Sequence, residues 1–206
     1  MFKIMLKFFK GNTSASPYLI VGLGNPGKEY RDNRHNVGFR VIDEFANRNS
    51  FELRRVRFEA IIEKTIFEER SIVLAKPRTF MNRSGISVAA MARFYKSAPE
   101  QILVIFDDVD LDFGRIRLLP RGGSSGQKGM KSIIERLGTQ DFPRLRVGVG
   151  RPRGKKSTPN HVLQDFSKQE KAELPFVLDR AAKAVEEYLI SGLDAAMNTY
   201  NQKNDE

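Results

Sequence analysis

Cysteine is absent from this 206-residue chain. The absence excludes disulfides and cysteine-held metal centres. It fits a reducing compartment, so a cytoplasmic location is expected. Histidine is nearly absent too, with only His35 and His161, and neither has the His/carboxylate spacing of a metal site. There is no G-x-S-x-G elbow and no G-K-[ST] phosphate-loop lysine. No apolar run approaches the roughly 20 residues that a membrane span needs. Lys3, Lys7 and Lys10 interrupt the apolar residues at the start, so a signal-peptide core is missing as well. No internal repeat is visible. What remains is a length that suits one domain, with roughly 70% of the unfolded surface buried on folding.

Acidic residues are the other scarcity, and it is local. Residues 114 to 156 hold twelve Lys or Arg but only two acids, Glu135 and Asp141. This segment alone carries the chain's net charge of +10, and the rest is neutral. A solvated basic face is the bland explanation. Charge this segregated is also the footprint expected for a nucleic-acid partner. No amphipathic helix with a broad apolar face accompanies it, so an anionic membrane ranks lower.

Along the chain, residues 1–16 read as a loosely ordered extension and 17–195 as an α/β domain. Residues 196–206 read as a polar tail. Apolar runs at 18–24 and 102–108 read as buried strands, the second ending in acids. "FEAIIEKTIF", "SIVLAKP", "GRIRLLP" and "RLRVGVG" read as further strands. Helical spacing appears at 35–48 with Asn33 as a candidate N-cap, and at 84–96 with Ser84 as cap. "MKSIIERLG" is helical, and a long helix or a pair broken at Pro175 closes the domain. Strands alternating with helices predict a single-domain three-layer α/β sandwich with a mixed, mostly parallel central sheet. Ligands of such sheets bind beyond the carboxyl ends of the strands. Asn25, Asp107 and the turn "KPRTFMN" all follow strands directly, so they should gather on one rim.

"GLGNPG" (22–27) has the outline of a G-x-G-x-x-G nucleotide loop. But Pro26 removes a backbone N–H that phosphate would need, and "KEYRDNR" separates the glycines from the helix. No acid ends a clear second strand about 20 residues on. His35 is the better clue. It stands at a helix start, where the dipole favours the neutral imidazole, a competent base. A lone histidine is more often a surface or capping residue. Asn25 and Asp107 on the same expected rim shift that balance, while His161 lies in a polar loop with no partner in view. Asp107, Asn82, Phe80 and Met81 each have an ordinary turn or core explanation on their own. Their joint placement makes a site.

"LIVGLGNPGKEYRDNRHNVGF", "LAKPRTFMNRSG", "FDDVDLDFGRIRL" and "FPRLRVGVGRP" strongly resemble the bacterial-type peptidyl-tRNA hydrolases. The four motifs stand in the family's order and spacing, from about Tyr18 to Ser167. The resemblance implies cleavage of the ester between a peptide and the 3′ ribose of tRNA, by a metal-independent, cofactor-free and usually monomeric enzyme. It implies that His35 activates water, that Asp107 stabilises the proton-accepting form of His35, and that Asn25 contacts the peptide. Tyr30, Phe80, Met81 and Asn82 would line the substrate site. The family usually has a His-Asn pair after its glycine loop. This chain has Gln127 and Lys128 there, two further substrate-binding candidates.

Physical chemistry supports the same assignment. Ester hydrolysis needs a water, a base and donors for the developing oxyanion, and Asn25 or Asn82 can donate. Asp107 can fix the imidazole tautomer as in a Ser-His-Asp site, with water replacing serine. Arg121, Lys131, Arg146 and Arg151 are the candidates for tRNA backbone phosphates. The alternatives are a catalytically silent RNA-binding relative of the same fold and an unrelated small-molecule esterase. The first would not need a base–acid pair, and the second would not need the basic segment.

Overall fold

Residues 16–152 and 157–202 are described by the computed structural model. The readings for residues 1–15, 153–156 and 203–206 lie outside the described residues. Seven strands form one sheet in the order β2-β3-β4-β1-β5-β7-β6. They are β1 (Tyr18–Gly22), β2 (Arg55–Arg57), β3 (Ala60–Phe67), β4 (Arg70–Pro77), β5 (Ile102–Asp108), β6 (Ile116–Leu119) and β7 (Arg144–Gly148). The neighbours β4, β1, β5 and β7 run parallel. The flanking strands β2, β3 and β6 pair antiparallel. Both faces of the central strands are covered, which is why they read as continuous apolar runs. The edge strand β6 is different: Ile116 and Leu118 are buried while Arg117 is exposed.

Helices α1 (Val37–Arg48), α5 (Lys168–Ser191) and α6 (Leu193–Tyr200) cover one face. Their core includes Ile20, Val41, Phe45, Ile105, Val185 and Ala196. Helices α2 (Ser84–Tyr95) and α3 (Lys128–Leu137) cover the other face, around Leu19, Val21, Val104, Phe106, Val88 and Ile133. The short helix α4 (Thr158–Val162) follows β7. Period-two alternation along β1 and β5 thus divides one sheet between two cores. From β1 the chain crosses to β4, and from β5 it moves toward β7. The crevice at this switch point, beyond the carboxyl ends of β1 and β5, is where an open α/β sheet binds its ligand.

Two glycines set the height of that crevice. A Cβ on Gly22 would stand 2.2 Å from the Gly38 carbonyl oxygen, and one on Gly38 would stand 2.4 Å from the Ile105 oxygen. Their absence lets α1 begin directly over the ends of β1 and β5.

Several local expectations need correction. Ser84 does not cap α2 through its side chain; its hydroxyl donates to the Met81 carbonyl at 2.9 Å. Asn33 precedes a 3₁₀ turn, Arg34–Asn36, and makes no side-chain cap. Of the two readings at Pro175 the single long helix holds, and Pro175 does not break α5. It lies on the exposed side, where water can satisfy the carbonyl that its missing N–H strands. The expected tail from 196 is helical through Tyr200. Asn201 then pairs with the backbone of Leu118, accepting at 2.7 Å and donating at 2.9 Å, and so covers the edge strand β6.

The buried Arg34 ties the 3₁₀ turn to the start of α5. It donates to the Asp165 carbonyl at 2.6 Å and to Glu170 at 2.6 Å. Glu170 also completes a capping box with Ser167. Burial works to raise the Glu170 carboxyl, but hydrogen bonds from Ser167 and the charge of Arg34 outweigh it and hold its pKa below the ordinary 4.5. With the folded value depressed, the stabilisation is complete above the unfolded pKa and disappears as pH falls through the folded one. Glu170→Gln is therefore expected to cost about 1–2 kcal/mol at neutral pH. The gap from the parent should close in acid, as read by thermal unfolding at a series of pH values. A gap independent of pH would disconnect the clamp from this charge.

Candidate active site

His35 stands in the 3₁₀ turn that precedes α1, above the end of β5. Its Nδ1 lies 2.8 Å from each oxygen of Asp107, which β5 supplies. Asp107 is 4% exposed. A carboxylate only accepts, so Nδ1 carries a proton, and in the neutral ring Nε2 presents its lone pair. Nε2 has no partner among the described residues, and the ring lines a cavity of about 760 Å³.

Asn25 follows β1. Its backbone N–H donates to Asn36 Oδ1 at 2.8 Å, and Asn36 Nδ2 returns a bond to the Asn25 carbonyl at 3.0 Å. The Asn25 Oδ1 accepts from the Met81 N–H at 2.8 Å. That bond assigns the amide orientation and leaves Nδ2 as a donor for something else. Met81 is buried, while its neighbours Phe80 and Asn82 are exposed, and all three line the cavity. Val162, Leu163 and Pro159, from α4 and the residue after it, form part of the wall. The cavity thus combines a base, amide donors and apolar surface.

Gln127 and Lys128 also line it. Gln127 is the N-cap of α3, its Oε1 accepting from the Met130 N–H at 2.8 Å, and its Nε2 lies 3.1 Å from Asp107 Oδ1. Lys128 is exposed at the first turn of α3. Arg151 stands at the same cavity, paired with Asp110 at 2.7 Å.

Other candidates fall elsewhere. Tyr30 sits in a 3₁₀ turn between Asn25 and His35 and is not part of the cavity wall. Arg146 is held by Asp108, so it is a paired strut beside β5. Lys131 points along exposed α3 toward Glu135, at 3.9 Å. Arg121 lines a different cavity with Tyr18, Arg70 and Tyr188, near the opposite ends of the strands. The basic segment is not wholly surface either. Arg144 is 1% exposed and donates to the carbonyls of Gly122, Gly123, Gln140 and Phe142. Burial, and then the like charge of Arg146, pull its pKa down to about 10, which leaves it a cation at neutral pH. It braces the glycine loop that delivers Gln127.

His161 has a partner after all. It lies in α4, and its Nε2 is 3.0 Å from the Gly150 carbonyl, which can only accept. That nitrogen is therefore a donor, so His161 is a structural tie. Asn36 and Arg34, which hold the His35 turn, were not foreseen from sequence. The S-x-x-E pattern at 167–170 was the one available signal for the Arg34 anchor. Among the described residues no group of three or more His, Cys, Asp or Glu is placed to hold a metal. No helix among them is long and apolar enough to cross a membrane.

A family model described as peptidyl-tRNA hydrolase matches residues 19–206. The chain belongs to the peptidyl-tRNA hydrolase family. It is 46% identical over 185 residues to a peptidyl-tRNA hydrolase of Chloroflexus aggregans, covering 89% of this chain and 98% of that one. It is 47% identical over 188 residues to a chloroplastic peptidyl-tRNA hydrolase of Arabidopsis thaliana, covering 91% of this chain but 65% of that longer one. The crystal structure of peptidyl-tRNA hydrolase from Acinetobacter baumannii superimposes with a TM-score of 0.84 at 36% identity, over 90% of this chain and 95% of that one. A solved complex of a peptidyl-tRNA hydrolase with N-propanol reaches 0.86 at 35% identity, over 93% and 97%. Family membership and the α/β fold expected from the motifs therefore both hold.

Proposed function

We propose that this chain hydrolyses the ester between a peptide and the 3′ ribose of tRNA, freeing tRNA from abandoned translation. The observation that carries the reading is the His35–Asp107 pair, with Nε2 unpartnered among the described residues in a cavity lined by Asn25 and Asn82. His35 Nε2 takes a proton from water as the oxygen attacks the ester carbonyl. The resulting oxyanion receives hydrogen bonds from side-chain amides, with Asn25 Nδ2 the best held. Collapse expels the ribose 3′ oxygen, which takes the proton back from the imidazolium. Asp107 remains a carboxylate throughout, fixing the ring and offsetting its transient charge.

Lys128 and Arg151 at the cavity are the cations we assign to phosphates near the 3′ end of the RNA, with Lys131 one turn along α3. Phe80 and Leu163, both exposed at the cavity, suit an apolar part of the peptide. Every group in this mechanism comes from one chain, so we treat the working unit as a monomer. The substrate places the work in a compartment that translates, and we assign the cytoplasm.

The test compares N-blocked aminoacyl-tRNA with its unblocked form. Release from the blocked form alone is expected, with kcat/KM falling steeply with salt. Each phosphate contact contributes roughly 0.7–0.9 to the log–log slope. Equal release from both forms, or a flat salt dependence with turnover of small neutral esters, would sink this reading.

A further inference from the structure

We infer that Gln127 is a positioning residue: its amide closes a ring of hydrogen bonds that holds the Asp107 carboxylate against His35. The inference rests on the hydrolytic reading above, but its central measurement does not need a substrate.

The orientation of this amide is decided by its neighbours. The Met130 backbone N–H can only donate, and it lies 2.8 Å from Oε1. Nε2 must therefore face the other way. There it meets two acceptors, Asp107 Oδ1 at 3.1 Å and Met81 Sδ at 3.2 Å. Two N–H bonds thus have two acceptors, and Oε1 is engaged at the helix. Gln127 is 8% exposed. Its amide N–H groups are already committed, although the residue lies at the cavity wall. On this reading Gln127 acts through Asp107 rather than by the direct substrate contact expected from the sequence.

The bonds form a closed circuit. Gln127 binds Asp107, and Asp107 binds His35. Asn36, next along the chain, is doubly bonded to the backbone of Asn25. The Asn25 side chain accepts from Met81, whose sulfur meets Gln127 again. Five segments from four separate parts of the fold are fixed to one another this way. Without Gln127 the circuit opens at its most buried charge.

The chemical reason for a donor here is specific. His35 Nδ1 is equidistant from both Asp107 oxygens, so the histidine alone does not choose between them. The Gln127 N–H marks Oδ1 and resists rotation of the carboxylate. It also spreads the negative charge, which moderates the pull on the imidazolium. An amide does this without titrating.

Other charged groups at the cavity are Lys128 on α3, Arg151 after β7, Asp110 in the turn after β5 and Asp108 at the end of β5, the acids being paired with Arg151 and Arg146. All of them stay in place in the following variants. Gln127→Asn keeps a preferred N-cap but is one methylene too short for Asp107. Gln127→Glu keeps the acceptor for Met130 but turns an oxygen toward Asp107. In both, the imidazolium is held more strongly, so the His35 titration followed by NMR in free enzyme should move to higher pH. Loss of one bond to a buried charge predicts kcat lower by about tenfold or more, with KM within about twofold. Gln127→His, which restores an N–H donor, should recover most of kcat.

If either folded variant keeps the parental kcat and His35 titration, the inference is wrong. If KM rises with kcat unchanged, Gln127 is a substrate contact and the inference is wrong again. If Gln127→Glu fails to fold, Gln127→Asn decides alone. Should the parent not cleave blocked aminoacyl-tRNA, the functional reading fails, while the NMR titration still judges Gln127.

Discussion

Replacing His35 with alanine is expected to lower kcat about 10²–10⁴-fold, the usual contribution of a general base. Affinity for tRNA should hardly change, because the cations assigned to the RNA lie on α3 and after β7. Among the described residues the other candidate bases are occupied, Asp110 at the same cavity being paired with Arg151. His161 is committed as a donor to Gly150, and Asp107 and Asp108 are buried and already bonded. The variant loses one of the two side-chain donors to Asp107, so thermal unfolding should fall modestly and must be measured beside the rate. Single-turnover hydrolysis and direct tRNA binding separate the two effects. Near-normal hydrolysis by a folded His35→Ala protein would remove His35 from the mechanism.

The layout of this site was legible because strand ends are legible. The apolar runs of β1 and β5 stop at Gly22 and Asp108. An α/β sheet must bring such ends to one rim, so Asn25 and Asp107 were expected together before any distance was known. His35 could be added because a helix pattern begins just after it. What the sequence did not disclose was how these groups are held. Asn36 and Gln127 look like ordinary polar residues at helix starts. Their roles depend on partners 11 and 20 positions away, across different elements.

Charge was legible as a sum but not as a distribution. Twelve cations in residues 114–156 suggested one surface. Folding instead placed Arg144 inside, bound to carbonyls, and paired Arg146 with Asp108. Arg121 went toward the far ends of the strands. Arg144 and Arg146 share one face of β7, and Arg117 of β6 stands opposite Arg146, so it is the partners that differ: the carbonyls of the 122–123 and 140–142 loops take up Arg144 at the start of the strand, and Asp108 takes up Arg146 further along. Helix α6 was missed for a related reason. Its short, weakly apolar segment gains order from packing Ala196 and from the two bonds of Asn201 to the edge of β6, neither of which periodicity reports.

Asp107→Asn should be nearly as damaging as loss of the histidine, although it changes the shape of the site very little. Nδ1 of His35 and Nε2 of Gln127 both donate to the present carboxylate, which accepts at both oxygens. An asparagine offers one oxygen and one NH₂. If its oxygen serves His35, its NH₂ confronts the NH₂ of Gln127. If its oxygen takes the Oδ1 place beside Gln127, its NH₂ takes the Oδ2 place, also 2.8 Å from His35 Nδ1, and a donor there favours the tautomer with the proton on Nε2. That tautomer has no lone pair for water. Where the same change is made in a Ser-His-Asp site the loss is about 10⁴-fold, and a fall of about 10²–10⁴ is expected here. KM should stay within about twofold, because the lost charge acts on the transition state. Removing the negative charge also weakens the hold on the imidazolium. The acid limb of the pH–rate profile should therefore move to lower pH, opposite to the shift expected for the Gln127 variants. A folded Asp107→Asn enzyme with unchanged rate and profile would make Asp107 a structural residue at the end of β5.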